Sequence, residues 1–195
     1  MADRKRTTKE RLLKAAMEAF QESGFHGTDT NRIARKAGFA PGTFYRHFSD
    51  KLEIFVAVYE GWVEEEMSEI REIMKTEPYD LPLLKKMIAS ILQFHRRDHR
   101  FRGSLRALMA TEPRLQKPRA QQRQKQLDEL AQIQEKMGVS ATHEERVLIL
   151  LRIESTCDAI ANGEIVSLGL DEEVILHHMS VKLAEDLGMN SLEVE

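Results

Sequence analysis

Apolar residues recur at three- and four-residue spacing along almost the whole chain, and the period-two alternation of a half-buried strand is missing. No Asn-Gly or Asp-Gly pair sits between alternating runs as a hairpin requires, so the pattern predicts an all-α protein of about nine helices. Thr7 with Glu10 forms the sequence of a capping box, and Leu12, Leu13, Ala16, Met17, Ala19 and Phe20 carry a first helix to Gly24. A short second helix fits Asp29 or Thr30 to Lys36, with Ile33, Ala34 and Ala37 inward. A third starts at Pro41, whose missing N–H has no partner to lose at a first helical position, and runs to about His47. Ser49 is the expected cap of a fourth helix, which Phe55, Val58, Tyr59, Trp62, Val63, Met67, Ile70 and Met74 extend to about Lys75.

After the break "TEPYDLP", a fifth helix spans Leu83 to Phe94, strongly apolar on one side, and a sixth covers Phe101 to Met109, before Pro113. A seventh is marked by Leu127, Leu130, Ile133 and Met137. Thr142 and Glu145 make a second capping box and open an eighth, "RVLILLRIESTCDAIANG", apolar over most of its circumference. The last, Asp171 to Leu187, aligns Ile175, Met179, Leu183 and Leu187. So wide an apolar surface on two terminal helices points to a homodimer through them, although a core within one chain gives the same pattern.

Composition narrows the class. The hydrophobic share of 42% in 195 residues is enough for a sizeable core, and no apolar run reaches membrane-spanning length. "MADRKRTTKE" is no signal peptide, so the expected location is the cytoplasm, with no membrane partner. The lone Cys157 offers neither a disulfide nor a metal pair. A net charge of −3 speaks against nucleic acid only if it is evenly spread, and it is not. Residues 1–52 hold 11 Lys or Arg against 6 Asp or Glu, whereas residues 53–195 hold 18 against 26. The short amino-terminal part, including Arg4, Lys5 and Arg6, is therefore the part that attracts phosphates. The division expected is a basic, phosphate-attracting domain over 1–52 and a larger helical domain over 53–195.

Two short helices joined by a glycine-containing turn follow the helix-turn-helix plan, which by itself is weakly specific. The division of residues adds to it. Phe44 and Phe48 face the small core while Thr43, Tyr45, Arg46 and His47 stay at the surface, in a segment whose first residues read base edges in such helices. Gly42 permits close approach. Lys51 is a cation in the first turn of a helix, misplaced by about 0.3–1 kcal/mol for the helix dipole unless an anion is bound there.

The stretch "TNRIARKAGFAPGTFYRHFSDKLEIF" closely resembles the helix-turn-helix of TetR-type bacterial transcriptional regulators, over about residues 8–56. The resemblance implies a dimer with an amino-terminal DNA-binding domain and a divergent domain for a small ligand. Position by position it implies Thr30, Tyr45, His47 and Lys51 for phosphates of a double-stranded operator, and Asn31, Pro41, Gly42 and Thr43 near the bases. Two residues depart from the pattern: Asp29 stands where Thr or Ser is common, adding a charge that DNA repels, and Ala40 replaces a frequent Ser cap.

Residues 53–195 show no metal spacing, phosphate loop or nucleophile motif, so neither a cofactor nor an enzymatic activity is expected. Residues 96–125 carry ten Lys or Arg against Asp98 and Glu112, read as solvated helix surface. For an effector, Phe94, Arg97, Phe101 and Leu105 are candidates, with Arg152 and Asp158 as charges that burial obliges to find partners. The reading is a regulator, a repressor released from a near-palindromic operator by a small-molecule effector. A sequestering protein with a structural helix-turn-helix and a transcriptional activator fit the same residues.

Overall fold

The computed structural model describes residues 7–76 and 78–189, and every described element is a helix or a turn. In chain order these are α1 (Thr8–Ser23), α2 (Thr30–Lys36), α3 (Pro41–Phe44), α4 (Lys51–Ile73), α5 (Leu81–Arg97), α6 (His99–Thr111), a 3-10 turn (Pro113–Leu115), α7 (Gln116–Lys136), α8 (His143–Ala161), α9 (Glu164–Ser167) and α10 (Glu172–Asp186). The chain divides into two compact units, one made of residues up to 63 with 98–118, the other of 64–97 with 119 onward. The segment read as a DNA-binding domain is thus three helices within the first unit, which also includes α6 and the first part of α4.

In the first unit α1 packs on α2 and α6, and α2 on α3. Both expected capping boxes form: Thr7 Oγ1 accepts from Glu10 N at 3.2 Å while Glu10 Oε2 accepts from Thr7 N at 2.7 Å, and Thr142 and Glu145 repeat the exchange. The core is Leu12, Phe20, Ile33, Phe44, Phe55 and Phe101, all fully buried. Phe55 sits edge-on to Phe20 at 5.1 Å between centroids and lies 4.9 Å from Phe101. Below this cluster is a buried polar contact. The Asp98 carboxylate, fully buried, accepts from Trp62 Nε1 at 2.6 Å and from Gln21 Nε2, and the Arg102 guanidinium lies over the Trp62 ring at 5.1 Å.

The turn between α2 and α3 depends on Gly38, whose φ of +77° is left-handed. A Cβ there comes within 2.8 Å of Arg11 Nη2, the group that caps the Ala37 carbonyl at 2.8 Å. Gly38→Ala is expected to lower the unfolding free energy by about 1–2 kcal/mol, measured by urea unfolding of the purified variant.

In the second unit α5 is the central helix, packed on α8 and α10. Leu84, Ile88 and Leu92 meet Ile149, Ile153 and Cys157 of α8 and Leu183 and Leu187 of the α10 end in one core. Buried His95 on α5 places Nδ1 2.8 Å from Asp158 Oδ1 on α8.

Several boundaries differ from the sequence reading, each for a local reason. α3 ends at Phe44; beyond it, Arg46 N bonds to Thr43 O and His47 N to Phe44 O, three residues back, so the chain tightens into a turn before His47. The side-chain oxygen at the start of α4 is Asp50 Oδ1, accepting from Glu53 N at 2.8 Å, whereas Ser49 contributes its N–H to Glu53 Oε2. α7 starts at Gln116, well before Leu127, because its first half is polar and carries no apolar period to read. α9 is a single turn held between Gly163 and Gly169, too short for a periodicity to mark.

Candidate functional site

The helix-turn-helix surface is built by separating aromatic residues. Phe44 and Phe48 are buried, whereas Tyr45 between them is 56% exposed. The Tyr45 hydroxyl lies 2.9 Å from Thr30 Oγ1, so the start of α2 and the end of α3 meet at two hydroxyls with spare hydrogen-bonding capacity. Asn31, Pro41, Gly42 and His47 are exposed, and half-buried Thr43 accepts from Arg46 Nη2 at 3.0 Å through Oγ1. Arg35 and Arg46 add exposed cations to this unit. By contrast Arg32 and Lys36 are held by Glu22, at 2.9 and 2.7 Å. Lys36 and Arg32 keep the Glu22 carboxyl below its ordinary range. Arg4, Lys5 and Arg6 lie outside the described residues.

Two sequence puzzles are resolved locally. Asp29 is the cap of α2, its Oδ1 accepting from Arg32 N at 2.8 Å, which gives the acidic side chain an internal purpose. Ala40 makes no side-chain cap bond, and α3 begins on Pro41. Lys51 is not simply a cation awaiting an anion. Its ammonium donates to Phe25 O and Thr28 O, both at 2.7 Å, and sits 4.1 Å from the Phe25 ring centroid. Burial pushes its pKa down, against the raising influence of Asp29. Two carbonyls thus offset the unfavourable position at the start of α4, and one of the three N–H groups remains.

The six effector candidates are divided between the two units. Phe101 and Leu105 are core residues of the first unit. Phe94 and Arg97 belong to the second, the Arg97 guanidinium lying 4.5 Å from the Phe94 ring centroid and 3.1 Å from Glu65. Arg152 is tied to Asp186, and Asp158 to His95. The charges found their partners within the unit, as burial requires. What the second unit holds instead is an apolar cavity of about 100 Å³ among α4, α5, α7 and α8, lined by Met67, Ile70, Met87, Ile91, Leu130 and Ile153 among others. None of the six candidates lines it. Its residues have the spacing of ordinary core positions, so no sequence signal separates them from filler. Among the described residues no group of acidic, His or Cys side chains could hold a metal ion, and no helix is long and apolar enough to cross a membrane.

These features define a helix-turn-helix protein with a second, cavity-bearing helical unit. Residues 12–58 match the family described as bacterial regulatory proteins, tetR family. The HTH-type transcriptional activator FasR of Mycolicibacterium smegmatis is 32% identical over 87 residues, 45% of this chain and 40% of the relative. The fatty acid metabolism regulator protein of Bacillus subtilis is 29% identical over 84 residues, 43% of this chain and 41% of the relative. The chain thus spans less than half the length of these curated relatives. Over 93% of this chain and 97% of the other, the fold resembles that of a transcriptional regulator from Rhodococcus sp., with a TM-score of 0.69 at 21% identity. Over its helix-turn-helix segment the chain is thus similar to TetR-family regulators.

Proposed function

We propose that this chain acts as a homodimeric, ligand-released TetR-family repressor, working in the cytoplasm where the DNA is. Each protomer places α3 in a major groove of double-stranded DNA, the two half-sites about 34–36 Å apart. Thr30, Tyr45, His47 and the remaining N–H of Lys51 bind phosphates, and Asn31, Pro41, Gly42 and Thr43 approach the bases. The observation that carries this reading is Tyr45, an exposed aromatic hydroxyl seated on Thr30 between two fully packed phenylalanines. Dimerisation through α8 and α10 is supported by the apolar side chains they leave exposed. Leu148 and Leu151 share one face of α8, and Val174 on α10 is 50% exposed. Val166 and Leu168, at the intervening short helix, are exposed as well.

The cavity of the second unit serves as the effector site. Met67 and Ile70 line it from the same helix, α4, that begins at Lys51, so a bound molecule acts on an element shared with the DNA-binding domain. A ligand that favours the wrong half-site spacing must in turn bind the operator-bound form less well. Footprinting on DNA upstream of the protein's own gene tests the reading; sequence-selective protection that weakens with salt is expected, and its absence at all neighbouring promoters overturns it.

Gly42 gives a sharper local test. A Cβ built on it meets nothing within 4 Å, so the fold of the free protein does not need glycine there. Gly42→Ala is expected to leave stability unchanged or raise it by up to about 1 kcal/mol. Operator affinity is expected to fall by about tenfold or more, because the added methyl group enters the space of the base edges. Paired unfolding and gel-shift titrations check both halves.

A further inference from the structure

The cavity of the second unit has a chemistry of its own. Its walls are hydrocarbon and thioether from residues such as Met67, Ile91 and Ile153, and its polar lining is Gln126 with three carboxylates, Glu66, Glu129 and Glu154. No Lys, Arg or His is among the lining residues. Glu129 is held by Arg71 at 2.6 Å and Glu154 by Arg123 at 2.7 Å, both arginines lying outside the lining. Glu66 is 5% exposed. Gln126 Oε1 is buried and receives no hydrogen bond from the described residues, a costly state for an amide oxygen.

Resting on the reading of this cavity as the effector site, we infer that it takes a neutral, ring-sized apolar molecule bearing one O–H or N–H donor, which Gln126 Oε1 accepts. Size sets the first limit. The volume of about 100 Å³ is of the order of the roughly 150 Å³ engineered apolar cavity that binds benzene, so one ring or a chain of similar bulk fills it. Charge sets the second. An anion entering this lining leaves water and finds no cation among the lining residues, Arg71 and Arg123 being engaged with Glu129 and Glu154. A cation is desolvated as well, and two of the three lining carboxylates already hold arginines. A molecule with no donor fills the walls and leaves Gln126 Oε1 as it is. A neutral donor satisfies the oxygen once the half-buried Gln126 side chain turns its amide to the cavity, and keeps the apolar contacts, so it is selected over all three.

Titration calorimetry of the full chain at pH 7 with four single-ring probes tests this: phenol, its near-isostere toluene, benzoate, and benzylamine in its ammonium form. Phenol is expected to bind about tenfold more tightly than toluene, the value of one net hydrogen bond, and more tightly than either ion. Gln126→Leu is expected to remove the preference for phenol over toluene while toluene still binds. Ile153→Trp fills the cavity and is expected to abolish binding of every probe. Circular dichroism checks that this variant folds, and Leu150→Trp, at a half-buried position of the wall, blocks the cavity if it does not. Toluene, benzoate or benzylamine binding as well as phenol, with all binding lost in the blocked variant, overturns the ligand class and leaves the effector site standing. A phenol preference that survives Gln126→Leu overturns the role of that amide. Binding of no ring at all, or binding untouched by the blocking substitution, overturns the cavity as the effector site and the inference with it.

Discussion

Asp98→Ala is expected to lower the unfolding free energy by about 2–5 kcal/mol, a large fraction of what holds a domain of this size together, because two buried donors lose their acceptor. The carboxylate is fully buried and accepts from Trp62 Nε1 at 2.6 Å and from Gln21 Nε2. Removing it leaves the indole N–H and the glutamine amide without that acceptor, in an aromatic interior where water cannot replace it. Three pieces of the first unit are tied by this one side chain: α1 through Gln21, α4 through Trp62, and the junction between α5 and α6 on which Asp98 itself sits. The loss therefore reaches the helix-turn-helix through α1, on which α2 packs. Asp98→Asn keeps an oxygen that can accept the indole N–H and is expected to lose less than half as much. Trp62 is the single tryptophan, so its fluorescence during urea unfolding reports this site directly. Equal stability of the Ala variant and the parent protein would show that the contact contributes nothing net.

Lys51→Met carries the second large effect and separates two roles of one ammonium group. The thioether chain keeps most of the packing of the lysine stem but loses the two bonds to Phe25 O and Thr28 O and the contact with the Phe25 ring. Hydrogen bonds from a charged donor contribute more than neutral ones, and this group is half-buried, so a loss of about 2–3 kcal/mol is expected. The segment that loosens connects α1 to α2, whose first residue, Thr30, supports Tyr45. If the third N–H also reaches a phosphate, operator binding measured below the melting range shows a salt slope reduced by about 1. A stability loss of this size with an unchanged slope assigns Lys51 to the fold alone. The two measurements differ because a carbonyl staple acts on the folded protein, whereas a phosphate contact acts only in the complex.

The helix-turn-helix was largely legible in the sequence because its determinants are local. A capping box, a proline at a first helical position and a glycine in a left-handed turn act over a few residues, and the inward and outward aromatics alternate within one short segment. Thr7 with Glu10, Pro41, Gly38 and the buried pair Phe44 and Phe48 therefore stand as local features of a single domain. Charge separation along the chain was equally readable, since it needs only counting. The Lys51 misfit was legible too, as a cation where the helix dipole disfavours one, but its internal answer was not. Phe25 O and Thr28 O are backbone groups 26 and 23 residues away, and no side-chain pattern announces which carbonyl will turn toward an ammonium.

The second unit divides differently. Sequence by itself determined that these residues form helices and which stripes of them are apolar, because periodicity and caps act within a helix. Only the tertiary structure decided which polar side chains meet: Arg152 with Asp186, His95 with Asp158, and Glu154 with Arg123. Such pairs join residues far apart in the chain, and composition cannot rank the many combinations that balance charge. Tertiary packing likewise decided that Phe101 is core in one unit while Met67, Ile91 and Ile153 line a cavity in the other. An apolar side chain reads the same whether its neighbours close over it or leave a gap, because burial drives both and only the fit of helix against helix sets the volume left between them.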